Sequence, residues 1–161
     1  LHAVAVLARR GVPVKLKLTG DCSPMLSEIV TRLNIADCLQ WTGWLDPADL
    51  SNFYRSLDVF VFSSSQEGLG IAGIQAMACG VPVVSTRCGG PEDYVIDEIT
   101  GKLAGNTPEE LADAIEWTIT DRNRRNELGA QARALIANKY GSVTFENNVS
   151  GVWERTWGEP I

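Results

Sequence analysis

A doubly wound α/β fold built on a parallel sheet is the expectation from this sequence, and three observations carry it. Helix-period and strand-period signals alternate along the whole chain. Two runs, residues 59–62 and 81–85, are almost continuously apolar, as strands covered on both faces are. The connections are short and punctuated by Gly, Pro and Asp, which suits strands joined through helical crossovers.

The elements follow in order. Residues 1–10 read as the back end of a helix, with Leu1, Val4 and Leu7 on one side and Gly11 and Pro13 stopping it. Residues 14–18 form a short strand, whose alternating Lys15 and Lys17 leave one face partly covered. Ser23 caps the next helix with Pro24 at its first position. Leu26, Ile29, Val30 and Leu33 then recur at helical spacing. Residues 38–42 are a second strand, closed by Gly43. Asp46-Pro47 opens a helix with the stripe Leu50, Phe53, Tyr54 and Leu57.

After the strand at 59–62, a polar loop, 63–67, passes through Gly68-Leu69-Gly70 into a helix of small residues ending at Gly80. The strand at 81–85 follows, then Gly89-Gly90-Pro91 and a last short strand at 101–104. Thr107-Pro108-Glu109-Glu110 is a capping box. From Leu111 the chain is helical in two or three pieces as far as Trp157.

Composition narrows the function. The 161 residues suit one domain, and 45% hydrophobic with 21% charged residues excludes a disordered chain. The longest weakly polar stretch, 69–84, is interrupted by Gln75, Gly80 and Pro82 and is shorter than the ~20 residues of a membrane span. Net charge is −6, so a basic footprint for nucleic acid is missing. The dense basic run Arg122, Arg124, Arg125 sits beside Asp121 and Glu127 and reads as a solvated helix face. Any bound phosphate must therefore be held mainly by backbone N–H groups or by basic residues outside the chain. Cys22, Cys38, Cys79 and Cys88 lack CxxC spacing, so no zinc site is expected. Reduced thiols and no signal-peptide pattern point to a cytoplasmic location. His2 is the sole histidine, which leaves Ser–His–Asp and Cys–His chemistry without a base.

In an open α/β sheet, ligands bind at the carboxyl ends of the strands. Here those ends are Gly20-Asp21, Gly43-Trp44, residues 63–70 and residues 86–91. At the third, two glycines clear the approach to a helix N-terminus, where free N–H groups and the helix dipole would face an anion. The same glycines also suit a tight turn with close packing, and both readings stand. Glu67, just before them, is a solvated loop charge, a dipole partner, or a carboxylate aimed at sugar hydroxyls or developing positive charge. Gln75 lies about two turns into the helix on roughly the same face, and its amide needs backbone or ligand partners. Gly68 to Gly73 also spells G-x-G-x-x-G. Against a dinucleotide-binding domain, two strand–helix units precede it, and Thr86 and Arg87 stand where an acidic ribose partner belongs.

Glu67-Gly68-Leu69-Gly70-Ile71, followed by Gln75-Ala76-Met77-Ala78-Cys79-Gly80-Val81-Pro82-Val83-Val84-Ser85, resembles the hallmark of the retaining glycosyltransferases of family 4. Gly89-Gly90-Pro91-Glu92, Thr100-Gly101-Lys102-Leu103 and Pro108-Glu109-Glu110-Leu111 fall in that family's order. The resemblance implies that residues 1–161 are a Rossmann-like domain, the C-terminal, nucleotide-sugar-binding half of the two-domain GT-B fold. It implies retaining transfer of a hexose from a nucleotide sugar, with no metal and no cofactor beyond that donor. It further implies Glu67 as the catalytic residue at the reacting centre. Backbone amides of Gly68, Leu69, Gly70 and Ile71 would hold hexose hydroxyls and the distal phosphate. Position 75 would meet the ribose, Trp44 and Leu45 the base, and Gly20 is a further substrate contact.

Two departures from the family pattern matter. Gln75 stands where the family has a second Glu, so a charge-assisted bond to the ribose is lost and weaker donor binding, a changed donor or lost activity is expected. The family's diphosphate-clamping Arg and Lys, and the strand before the first helix, fall upstream of Leu1. In the doubly wound order that strand is central. The chain is accordingly expected to be a fragment, inactive alone, whose partner is an N-terminal acceptor-binding domain; any peripheral membrane association would come through that domain. The last helix, 143–161, carries Phe145, Val149, Val152, Trp153 and Trp157 on one side. It would pack toward the same domain, or, left bare, favour self-association. A non-catalytic nucleotide-sugar-binding module, a sugar-nucleotide epimerase of the same fold and an NAD(P)-binding domain are the alternatives.

Overall fold

The computed structural model describes residues 1–158. The last three positions of the expected 143–161 helix lie outside the described residues. Among the described residues, seven α-helices and five strands follow in the order α1 (His2–Arg9), β1 (Leu16–Leu18), α2 (Pro24–Leu33), β2 (Leu39–Trp41), α3 (Leu50–Arg55), β3 (Phe60–Phe62), α4 (Ile71–Ala78), β4 (Val83–Thr86), β5 (Gly101–Ala104), α5 (Pro108–Thr120), α6 (Arg122–Tyr140) and α7 (Ser142–Trp157), helix and strand alternating as expected as far as β4.

Local chemistry explains most boundaries. The Ser23 hydroxyl accepts from the Leu26 amide at 3.3 Å, and Asn34 ends α2 in the left-handed region. Thr107 and Glu110 exchange hydrogen bonds across the first turn of α5. Asp121 accepts from the Asn123 and Arg124 amides to start α6. One expected start is wrong. The Asp46 carbonyl accepts from the Asp49 amide at 2.9 Å, so Asp46-Pro47 forms a turn and α3 begins only at Leu50. A proline preset near −65° suits that turn as well as a helix entry.

All strand pairings between named strands are parallel, but the sheet comes in two sections. β1 pairs with β2, Leu16 opposite Leu39. β3 pairs with β4 and β4 with β5, Phe60 opposite Val83 and Val83 opposite Gly101. Among the described strands, β1 and β3 do not hydrogen-bond to each other. A groove of about 240 Å³ separates them, and the Lys17 ammonium reaches across to donate to Ser56 Oγ at 2.9 Å. As expected, residues 59–62 are covered on both faces, Phe60 and Phe62 by one cluster and Val59 and Val61 by the other, but Val59, Phe60 and Val61 are only half-buried because one edge of β3 faces the groove. β4, flanked on both sides, is buried throughout.

Helices cover both faces. α1 and α5 pack on one face through Ala3, Val6, Leu7, Leu111 and Ile115 against Val84 and Ala104. α3, α4 and α6 cover the other through Tyr54, Met77, Ala132 and Ile136 against Phe62 and Val83. Gly129 of α6 presses on the Gly80 carbonyl just past α4, where a Cβ would overlap it. Arg124 stacks on Trp117 and Arg125 pairs with Asp58 at 3.2 Å, so two of the three arginines in the basic run are spent on surface contacts. Along α7, Val143, Phe145, Val149, Val152, Trp153 and Trp157 are exposed. No helix among the described residues is long and apolar enough to cross a membrane.

Candidate functional site

The loop after β3 is tied to the loop after β4 like an extra rung of the sheet. The Glu67 amide donates to the Cys88 carbonyl at 2.8 Å, and the Gly90 amide donates to the Glu67 carbonyl at 2.9 Å. Thr86 Oγ1 donates to the Ser64 carbonyl at 2.6 Å. The two loops approach so closely that a Cβ on Gly90 would overlap the Gly68 carbonyl. Gly70, at φ +74°, turns the chain into α4 without a side-chain cap.

Behind that turn lies Tyr94, fully buried, whose hydroxyl donates to the Gly70 carbonyl at 2.8 Å. Burial first, and then the nearby Glu67 carboxylate, pushes its pKa above the ordinary phenol value, so it acts as a donor. Sequence reasoning missed this residue. The only available signal was an aromatic three residues after the Gly-Gly-Pro turn, set among acidic neighbours.

Five successive amides, those of Gly68, Leu69, Gly70, Ile71 and Ala72, donate to no backbone carbonyl and no side chain among the described residues. They line the approach to the positive end of α4. The Glu67 carboxylate is half-buried beside Gly70 and forms no hydrogen bond or ion pair among the described residues. The loop therefore offers donors for an anion and, one step away, an uncommitted carboxylate. A second anion at that carboxylate would be repelled; hydroxyls or a developing positive charge would be favoured.

Gln75 has a side-chain partner that the sequence did not suggest: its Oε1 accepts from the Tyr54 hydroxyl at 2.9 Å. Tyr54 is buried, which raises its pKa and keeps it protonated. At the other sheet section, the Gly20 amide donates to the Gly43 carbonyl at 2.8 Å. The Trp44 indole is 83% exposed, lies against Gly20, and donates through Nε1 to Asp21 Oδ2 at 3.2 Å. Leu45 beside it is half-buried. Asp21 was not among the expected site residues; only its place at a strand end marked it.

The structure thus gathers Glu67 to Ile71 into one cluster and Gly20, Trp44 and Leu45 into another, each at the carboxyl end of its own sheet section. The groove between the sections shares no lining residue with the Glu67 loop. Arg87 pairs with Glu92 at 3.6 Å. No three His, Cys, Asp or Glu side chains among the described residues come together as a metal set would.

The profile of the family "Glycosyl transferases group 1" matches residues 1–135. The chain belongs to that family. The D-inositol 3-phosphate glycosyltransferase of Thermobifida fusca is 33% identical over 136 residues, covering 83% of this chain and 30% of the relative. Two solved structures share the architecture of this group 1 chain. Sucrose-phosphate synthase from Thermosynechococcus elongatus gives a TM-score of 0.85 at 26% identity, over 98% of this chain and 42% of its own. The Anabaena protein HepE, solved with UDP and glucose, gives 0.83 at 23% identity, over 96% of this chain and 44% of its own. The fold is accordingly that of a GT-B glycosyltransferase domain. The chain spans less than half the length of each protein named here.

Proposed function

We propose that this group 1 chain is the donor-binding half of an enzyme that transfers a hexose from a nucleoside-diphosphate sugar with retention of configuration. The five unpartnered amides from Gly68 to Ala72, beside an uncommitted Glu67 carboxylate, are the observation that carries the reading. The amides hold the distal phosphate and hexose hydroxyls. As the glycosidic bond breaks, the positive end of α4 stabilises the charge left on the diphosphate. Glu67 faces the hexose and stabilises the positive charge growing at its anomeric carbon. The Trp44 ring, oriented by Asp21, and Leu45 flank the base. Backbone donors supply the positive field, so donor binding needs no cation. Acceptor binding belongs to polypeptide outside these residues, and the chain alone binds donor without turnover. A fold neighbour solved with UDP and glucose supports this reading.

Calorimetric titration with UDP and UDP-glucose in EDTA tests it. Glu67→Gln should weaken UDP-glucose binding and leave UDP binding unchanged; an equal loss for both ligands overturns the assignment of Glu67 to the hexose. A non-catalytic nucleotide-sugar-binding module is the second reading, favoured by Gln75, whose oxygen Tyr54 already occupies. Turnover by an enzyme containing this domain excludes it.

A further inference from the structure

Along α4, Gly73, Ala76 and Met77 are buried, while Ile71, Gln75 and Ala78 are exposed. Those three fall at i, i+4 and i+7 and share one face. The face begins at Ile71, whose amide belongs to the donor row of the Glu67 loop, and Gln75 is the only polar side chain of α4. A helical side chain leans back toward the N-terminus, so Gln75 covers the turn that carries the Ile71 and Ala72 amides. Its own amide is not free to turn. Tyr54 is buried, and its ring stands edge-on to Phe53 and Phe60, with centroids 5.8 and 5.9 Å away. Among the described residues Gln75 Oε1 is the sole acceptor for the Tyr54 hydroxyl. A carboxamide carries its oxygen and its nitrogen on opposite sides of one plane. With the oxygen turned to α3, the nitrogen turns away from it, and no group among the described residues meets it.

We propose that Tyr54 is a positioning residue for donor binding: it fixes the Gln75 amide with its N–H groups toward the nucleotide, so that position 75 gives a hydrogen bond to a ligand oxygen instead of accepting one from a ligand hydroxyl. The inference rests on the donor reading above. It adds one side-chain donor to the backbone row from Gly68 to Ala72, on the flank of α4 rather than at its tip. A glutamate in the same place would also accept from Tyr54. It would then show the ligand only acceptors and a negative charge, which a diphosphate repels. Gln75 thus reverses the hydrogen-bonding sense of the position while leaving the buried Tyr54 hydroxyl satisfied. The bond it makes is a different bond from a carboxylate's, not a weaker copy of it. The acceptor is an oxygen of the nucleotide, on the ribose or on the phosphates, and deoxy ligands tell these two sources apart.

Calorimetric titration of the full chain with UDP near neutrality tests it. Gln75→Leu removes the amide. Gln75→Glu still accepts from Tyr54 but has no N–H to give. Tyr54→Phe removes the hydroxyl and keeps the ring. Gln75→Leu is expected to raise the Kd for UDP by about threefold to tenfold, the size of one hydrogen bond. Gln75→Glu is expected to raise it at least as much; tighter binding than Gln75→Leu overturns the donor sense of the position. Tyr54→Phe alone is expected to raise the Kd, and to have no further effect in the Gln75→Leu background, because it acts through that amide. A Tyr54 that serves packing only would leave the Kd alone or raise it equally in both backgrounds, and either result overturns the positioning role. The Gln75→Leu penalty is then measured with 2′-deoxy-UDP and 3′-deoxy-UDP. A penalty that vanishes with one of them assigns the acceptor to the ribose, and one that persists with both assigns it to the phosphates. UDP binding that is indifferent to Gln75→Leu overturns this inference alone. Failure of the unaltered chain to bind UDP overturns the donor reading and this inference together.

Discussion

Tyr94 sets the pose of the Glu67 loop from behind, through one hydrogen bond to the Gly70 carbonyl. Tyr94→Phe keeps the packing and removes the donor. Because the Gly73 amide still reaches that carbonyl at 2.9 Å, the expected loss is about 1 kcal/mol in urea unfolding, with weaker UDP binding. Gly90→Ala drives a methyl into the Gly68 carbonyl. It should cost about 1–3 kcal/mol, measured the same way, and displace the amides of the loop. Gln75 shows what a sequence can and cannot say at this scale. Its place on α4 followed from helical period. Its partner did not, because Tyr54 lies on α3, 21 residues earlier, and only tertiary packing brings the two together.

Among the elements, α5 was the most legible, since its capping box is a purely local signal. Thr107→Ala removes the hydroxyl that accepts from the Glu110 amide and should lower stability by about 1 kcal/mol, read from thermal melts. A pH dependence accompanies it. The Thr107 hydroxyl first, and then the Thr107 amide, hold the Glu110 carboxyl below its ordinary value of 4.5. A carboxyl whose pKa is lower folded than unfolded contributes stability that is full above the unfolded value and fades as pH falls through the folded one. Thr107→Ala should therefore cost most near neutrality and progressively less below pH 4.5, in melts run across that range. β5 was equally plain, and its observed bounds match the expected 101–104. β1 and β2 came out shorter than expected. Residues 14 and 15 lie along the groove, and residues 36–38 take a tight turn before β2. Strand ends depend on neighbours, which period alone does not supply.

For the whole molecule, the α/β class and the covering of both sheet faces could be read from alternation alone. The split of the sheet could not; a missing central strand was expected only from the family order. The apolar stripe of α7 was legible, and its exposure carries a prediction. Val152→Lys with Trp153→Ser should reduce self-association in sedimentation velocity without shifting the melt, because neither side chain is buried. Finally, α4 is pinned at both tips, by Tyr94 on the Gly70 carbonyl and by Gly129 on the Gly80 carbonyl. A rod fixed at two points can neither slide nor tilt. Its dipole axis is therefore aimed before any guest arrives, and adaptation to different guests falls to the residues around it.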